Sequence, residues 1–267
     1  SDVYKRQTYY NGEIVNMHVL EELDYVESSV TLGAVSSNEI DITLDNSTGK
    51  FNVLDPQQPL KNFIKRNRKV KAWLGCEIEE DNIEWYPLGV FYTCNWNIPD
   101  RSMTASLTAR DRLDLLNYSD FRTSPVYVNK SVGFLFDTVL KDAGLYENEY
   151  EIDSSLFDVI IPYAWFDSMS HREALQRIAG CIMVQLYCDR EGKVIITNMD
   201  PTNTVFFTFR DSTNVISKDY PFMWNEITNY VEVTSKPLVA VDEPELLKME
   251  VPIILEAGER IQVQYTY

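Results

Sequence analysis

The sequence predicts an α+β protein that is mainly β, with antiparallel strands on both sides of a smaller helical unit. In several segments apolar residues recur at every second position, as in half-buried strands, whereas between residues 118 and 200 they recur with the helical period. The 267 residues are 45% hydrophobic, which is enough for a packed core in two or three units.

The first strands are predicted before residue 50. Gly12–Leu23 alternates weakly, and Ser29–Ala34 and Glu39–Leu44 have the length and pattern of short strands. In the last of these, Ile40, Ile42 and Leu44 share one face. Asp45–Gly49 is rich in turn-forming residues and ends the last of them.

The most regular β pattern follows. Strands are predicted at Lys69–Leu74 and Leu88–Thr93, and a turn at Asn97–Arg101 leads into a third strand, Ser102–Ala109. Alternation predicts that the inward side chains of this third strand are Met103, Ala105, Leu107 and Ala109.

Residues 118–200 are predicted to form an α+β unit. Ser131 caps a helix that ends at Gly144 and has the apolar face Val132, Leu135, Phe136, Val139 and Leu140. Ser170 and Glu173 form the capping box of a second helix that Gly180 closes. The predicted apolar face of the second helix is Ala174, Leu175, Ile178 and Ala179, and a hairpin of Ile182–Cys188 and Lys193–Thr197 completes the unit.

Strand patterns return from Thr204 and continue to Tyr267, so residues 201–267 are predicted to form a second β domain that is incomplete at its end. Residues 1–7 resemble a translated transposon end from sequencing-library preparation, as found in metagenomic reading frames, and we exclude them from the fold prediction.

The net charge of −17 argues against a nucleic-acid-binding surface, which needs clustered Lys and Arg. It indicates either simple solubility or a surface that must not adhere to DNA and other acidic polymers. No apolar run approaches the roughly 18 residues of a membrane span, so we expect no membrane insertion by this segment.

The sequence contains none of the common catalytic or nucleotide-binding motifs. Four cysteines without C-x-x-C spacing and two histidines predict no metal site, no cofactor and reduced thiols. His171 follows the capping Ser170, and on a helix such neighbours point apart, so we predict His171 to be an exposed first-turn residue. The lack of such motifs therefore favours a structural or binding role. An enzyme that uses a pair of Asp or Glu residues as acid and base remains an alternative.

Aromatic residues are concentrated before the third central strand. They could form a sugar-binding face, but side chains of this kind more often fill the inside of a small barrel, and we predict the core role. The residues are Trp85, Tyr86, Phe91, Tyr92 and Trp96.

One basic patch interrupts this acidic chain, and it is either a solvated face or a contact for an acidic neighbour, such as another copy of the chain. Acidic residues at the tip of the following hairpin, Glu77, Glu79, Glu80 and Asp81, are its predicted complement. The patch comprises Lys61, Lys65, Arg66, Arg68, Lys69 and Lys71; the residues predicted for a subunit interface are Lys65, Arg66, Arg68, Lys69, Glu79 and Glu80.

These patterns together resemble the baseplate hub and tail-tip proteins of tailed phages and prophages, which are similar in fold to the base of the type VI secretion spike. Ile40–Phe51, Lys69–Leu74, Pro87–Phe91 and Ala109–Asp111 resemble the first tube-like antiparallel β-barrel of the hub. Arg172–Leu175 with the Cys188–Lys193 hairpin resembles its inserted α/β segment, and Asn225–Val233 is similar to the start of its second barrel.

The resemblance implies three domains, at 8–117, 118–200 and 201–267, and a homotrimer in the virion tail, made in the bacterial cytoplasm. Its ring would join the tail tube to the central spike, and DNA or a tape-measure protein would pass through the channel without specific binding. It implies no enzyme activity for this segment. The alternative is a carbohydrate-binding β module of a tail or secreted protein, with Trp85, Trp96 or Trp165 exposed in a coplanar strip.

Overall fold

A computed structural model describes most of the first 198 residues: 8–10, 12–21, 33, 35–53, 55, 57–58, 60, 64–80, 82–100, 102–122, 124–182 and 184–198. A few positions between 208 and 232 are also described. The chain divides into two compact units, Ser1–Thr234 and Ser235–Tyr267. The strand predicted at Ser29–Ala34 and the second β domain predicted at 201–267 therefore lie almost entirely outside the described residues.

Five antiparallel strands form one strongly curled sheet with the shape of a half-barrel. The strands are β1 (Ile14–Leu20), β2 (Glu39–Asp45), β3 (Lys69–Glu79), β4 (Asn82–Asn97) and β5 (Thr104–Arg110). Their order in the sheet is β1-β2-β5-β4-β3, so β1 and β3 are its two edges among the described residues.

The inner face of this sheet closes around the fully buried ring of Phe51. Alternation places the core residues as predicted on β2 and β5, because every second side chain points to the same face of a strand. Met103 is an exception: it precedes β5 and its side chain is exposed. The buried strand residues are Ile40, Ile42, Leu44, Ala72, Phe91, Ala105, Leu107 and Ala109.

The remaining described elements form a mixed α+β region. Both predicted caps are present, since the Ser131 Oγ accepts from the Phe134 N–H at 3.2 Å and the Ser170 Oγ accepts from the Glu173 N–H at 3.1 Å. The elements are α1 (Arg112–Leu115), β6 (Asp120–Phe121), β7 (Tyr127–Ser131), α2 (Val132–Asp142), β8 (Tyr150–Ile152), β9 (Ile160–Ala164), β10 (Met169–Ser170), α3 (His171–Ile182), β11 (Val184–Cys188) and β12 (Val194–Asn198).

The helix predictions need one correction. Gly180 does not close α3, which continues to Ile182. The backbone of Gly180 lies against Gly33 instead, and it is Gly33 that has no room for a side chain, because a Cβ there would lie only 2.2 Å from the Gly180 nitrogen. Gly144 follows the end of α2 with φ of +83°, as a helix-terminating glycine does.

The predicted hairpin after α3 is present as β11 and β12, and β12 also pairs in parallel with β8. This three-stranded sheet packs with α2 and α3 around one hydrophobic cluster. The predicted faces of both helices are buried in it, including Leu135, Phe136, Leu175 and Ile178.

The half-barrel and the α+β region are joined by several direct contacts. Val35, which precedes β2, is buried in the α+β cluster, and its carbonyl accepts two hydrogen bonds from the Arg172 guanidinium. Arg112 Nη2 lies 2.7 Å from Glu149 Oε1, and the turn at Gly192 packs against Val90 of β4. The separate domain boundary predicted at residue 117 stays a prediction.

Candidate functional site

The most unusual surface of the molecule is the outer end of the β3–β4 hairpin. We call residues 73–79 of β3, the turn residue Glu80 and residues 82–86 of β4 the hairpin arm. All of these side chains are exposed, on both faces of the ribbon. The large apolar ones are Trp73, Leu74, Ile78, Ile83, Trp85 and Tyr86, each between 39% and 57% exposed.

The pairing register places this apolar surface on both faces of the arm. Leu74 pairs with Tyr86 on one face, whereas Gly75 pairs with Trp85 on the other. A Cβ on Gly75 would lie 2.9 Å from the Trp85 ring, so the indole covers the glycine backbone. Soluble monomers rarely expose a contiguous apolar surface of this kind, which therefore indicates a contact with another molecule.

The core role predicted for the aromatic residues holds for only part of the group. Phe91 is fully buried, and Trp96 is half-buried against Phe51 at 5.9 Å between ring centroids. Trp85 and Tyr86 are exposed, so the prediction is wrong for them. The physical reason is that β4 extends with β3 beyond the curled sheet, where no described element packs on either face of the two-stranded ribbon.

The basic patch lies at the opposite end of β3, where a tight turn enters the strand. Asn67 has a positive φ of 60°, and the buried hydroxyl of Thr93 holds the turn. This hydroxyl donates to the Lys65 carbonyl at 2.7 Å and accepts from the Arg68 N–H at 2.9 Å. The turn thereby points its long cationic side chains away from the core.

The described members of the patch are exposed: Lys65, Arg66, Arg68, Lys69 and Lys71. Two of them lie over aromatic rings, Arg66 over Tyr118 at 5.5 Å and Lys69 over Tyr92 at 5.8 Å. Lys61 lies outside the described residues. None of the five forms an ion pair with a carboxylate of the described residues.

The structure does not bring the predicted interface residues together within one chain. Lys69 is the first residue of β3 and Glu79 is its last. A strand rises about 3.3 Å per residue, so the two ends of this 11-residue strand are about 33 Å apart. Contact between the patch and the tip acids, Glu79 and Glu80, therefore requires two chains.

His171 corrects another prediction, because it is buried rather than exposed. Its Nδ1 lies 2.8 Å from the Ser119 Oγ and its Nε2 lies 2.9 Å from the Asp142 Oδ2. The Ser119 carbonyl also accepts the His171 N–H. The three residues thus tie the start of α3 to the segment before β6 and to the end of α2. Sequence adjacency to a capping serine could not reveal these distant partners.

A buried carboxylate lies beneath the junction of the two regions. Asp111 caps α1 by accepting from the Leu113 N–H at 2.9 Å, and its second oxygen accepts from the Asn38 N–H at 2.8 Å. Burial outweighs these bonds and raises the pKa of Asp111 to about 6. Burial and the nearby Asp111 charge also raise the pKa of the Cys188 thiol, which keeps that thiol protonated and unreactive.

Within the described part of the chain, no group of three or more His, Cys, Asp or Glu side chains is arranged to bind a metal ion. The helices described there are too short and too polar to cross a bilayer.

No family model and no curated protein matches the sequence. Solved structures similar to the fold at low identity include the following three. A 43 kDa tail protein of prophage MuSo2 from Shewanella oneidensis has 16% identity and a TM-score of 0.39, with 61% of this chain and 47% of that one covered. A tail protein from Neisseria meningitidis MC58 has 11% identity and a TM-score of 0.41, with coverages of 68% and 50%.

The third is an Escherichia coli component of the type VI secretion system that is structurally similar to the T4 bacteriophage tail proteins gp27 and gp5. It has 12% identity and a TM-score of 0.41, and the match covers 68% of this chain and 48% of that one. The chain is thus similar to phage tail proteins, as the sequence predicted. It spans about half the length of each of these proteins.

Proposed function

We propose that this chain is a structural component of a phage or prophage tail, in the baseplate hub or tail-tip ring that joins the tail tube to the central spike. The half-barrel carries the proposal. Its sheet ends in two edge strands among the described residues, and one of them continues into an apolar arm. Exposed edges and two-sided apolar ribbons favour pairing with another chain, so the fold is suited to an assembled particle.

The sequence resemblance to hub proteins supplies the class of particle. In that class a homotrimer with two similar barrels per chain forms a ring of pseudo-six-fold symmetry. The partners in this proposal are the tail tube and the spike, and the chain acts by assembly without a catalytic step. The localisation is the virion tail.

The polar face of the half-barrel is suited to a channel wall. Its side chains on β5 are short hydroxyls followed by a single cation, Arg110, which is bound to Glu39 at 2.7 Å. On β2 the outward positions are Glu39, Asp41, Thr43 and Asp45. A wall with more carboxylates than cations repels phosphates, so DNA could slide along it without binding.

Negative-stain imaging of the purified chain tests this proposal. We expect three-fold particles with a central hole, because the proposed ring is a homotrimer around a channel. Compact particles without a hole in all class averages, at concentrations where the chain is associated, would contradict the hub assignment.

A further inference from the structure

We infer that the hairpin arm of one chain packs on the next copy of the chain, with the acidic arm tip against the neighbour's basic patch. This inference deepens the proposed function and rests on it.

The apolar side chains of the hairpin arm are exposed to water in the single chain and need a contact that buries them. Trp73, Ile83 and Trp85 lie on one face and Leu74 and Tyr86 on the other, and all of them are exposed in the single chain. Burial of apolar side chains stabilises a contact by roughly 25 cal/mol per Å² of area removed from water. The contact must surround the ribbon, since a cover on one face would leave the other face in water.

The charges indicate that the molecule covering the hairpin arm is a second copy of the chain. The arm carries Glu77, Glu79, Glu80 and Glu84, and none of the four forms an ion pair with a cation of the described residues. The chain as a whole has 41 Asp and Glu against 24 Lys and Arg residues, so carboxylates outnumber the cations that could pair with them. The basic patch is the concentrated exception, with five described cations between residues 65 and 71.

Geometry excludes pairing within one chain. The patch and the tip lie at opposite ends of one continuous strand pair, about 33 Å apart by strand length. Charges farther apart than about 10 Å are largely screened at physiological salt. The acidic tip can therefore form ion pairs with the basic patch only when the two belong to different chains.

The arm–patch contact joins different parts of two chains. Made in one direction from copy to copy, it is head-to-tail, and its repetition generates a closed ring or an open filament. Made reciprocally between two copies, it gives a two-fold dimer instead. The proposed three-fold ring uses the head-to-tail form, and the arm–patch contact is the element that would close it.

A charge-exchange experiment tests the inference. One variant carries Glu79→Lys and Glu80→Lys, and a second carries Arg66→Glu and Arg68→Glu. We expect each variant alone to raise the apparent dissociation constant for self-association about tenfold or more, because like charges then meet at the contact. We expect an equimolar mixture of the two to associate again as mixed particles, because the unchanged acidic tip of the second variant then meets the unchanged basic patch of the first.

The control variant reverses two exposed carboxylates on the α+β region, Asp158→Lys and Asp167→Lys, and should associate like the wild type. Alkylation of Cys76 gives a second measurement, since this exposed thiol lies on the arm. In a Cys181→Ser background, assembly should protect Cys76 from a maleimide at least about tenfold, and the tip variant should lose this protection.

The outcomes separate this inference from the proposed function. A trimer that neither charge variant weakens, with Cys76 still reactive, would overturn the arm contact and leave the ring assignment intact. A wild-type chain that is monomeric at every concentration would overturn both. Mutual rescue of the two charge variants supports the contact directly, and misfolding of either variant could not produce it.

Discussion

Gly33→Ala is expected to lower the free energy of unfolding by about 4 kcal/mol, from a left-handed backbone cost of about 1–2 kcal/mol and an overpacking cost of about 1–3 kcal/mol. Gly33 has φ of +76°, and its added Cβ would lie 2.2 Å from the Gly180 nitrogen. This contact is between backbones, so neither side can move away by a change of rotamer. The segment that holds Val35 in the α+β core would therefore be displaced.

Gly144→Ala is the matched control. Gly144 has φ of +83°, but a Cβ there would meet no atom within 4 Å. The Gly144→Ala variant should lower the free energy of unfolding only by the cost of the left-handed backbone, about 1–2 kcal/mol. Urea unfolding followed by far-ultraviolet circular dichroism measures both variants, and equal losses would refute the packing role assigned to Gly33.

Protonation of the buried Asp111 is expected to contribute about 3 kcal/mol to the unfolding free energy at low pH, and about 2 kcal/mol of this is lost as the pH rises from about 4 to 6. The pKa of this carboxyl is raised from 3.8 to about 6 in the folded chain, and each unit is worth about 1.36 kcal/mol. Between these values the folded chain retains a proton that the unfolded chain has lost. The stabilisation is complete at low pH and is lost as the pH rises through the folded-state pKa.

Asp111→Asn isolates this contribution. The asparagine keeps an acceptor for the Leu113 N–H but places an amide against the Asn38 N–H, so it lowers stability without titrating. Carboxylates with lowered pKa values, such as Glu149, are present in both proteins and cancel in the difference. Urea unfolding at four pH values between 4 and 7 gives this difference, and a constant value across the range would disprove the buried titration.

The strands that form the half-barrel were predictable because one face of each is buried. In β2 and β5 the period of two follows directly from that burial, and Ile40, Leu107 and Ala109 lie inward as expected. The helix starts were predictable for a different reason. A capping serine bonds to a backbone N–H only three residues away, so Ser131 and Ser170 act locally.

The burial of His171 was not predictable, because its partners are distant in sequence. Ser119 lies 52 residues away and Asp142 lies 29 residues away. Only the packing of α3 against α2 brings these residues together, and the residue pattern around His171 contains no signal of that packing.

The hairpin arm was missed for a related reason. Trp85 and Tyr86 have the residue types of a core, and apolar content alone does not distinguish a core from an interface that is exposed in the single chain. The cations and acids of the candidate interface were found from the sequence, since clustered charge is visible there. Their separation along β3 became apparent only from the length of the strand.

Light scattering behind size exclusion, over a range of concentrations, tests the central claim most directly. We expect particles of three copies of the 31.0 kDa chain, about 93 kDa, with the trimer fraction rising as the chain is concentrated. A mass of 31.0 kDa at every concentration would contradict the assembly role proposed for the half-barrel and its arm.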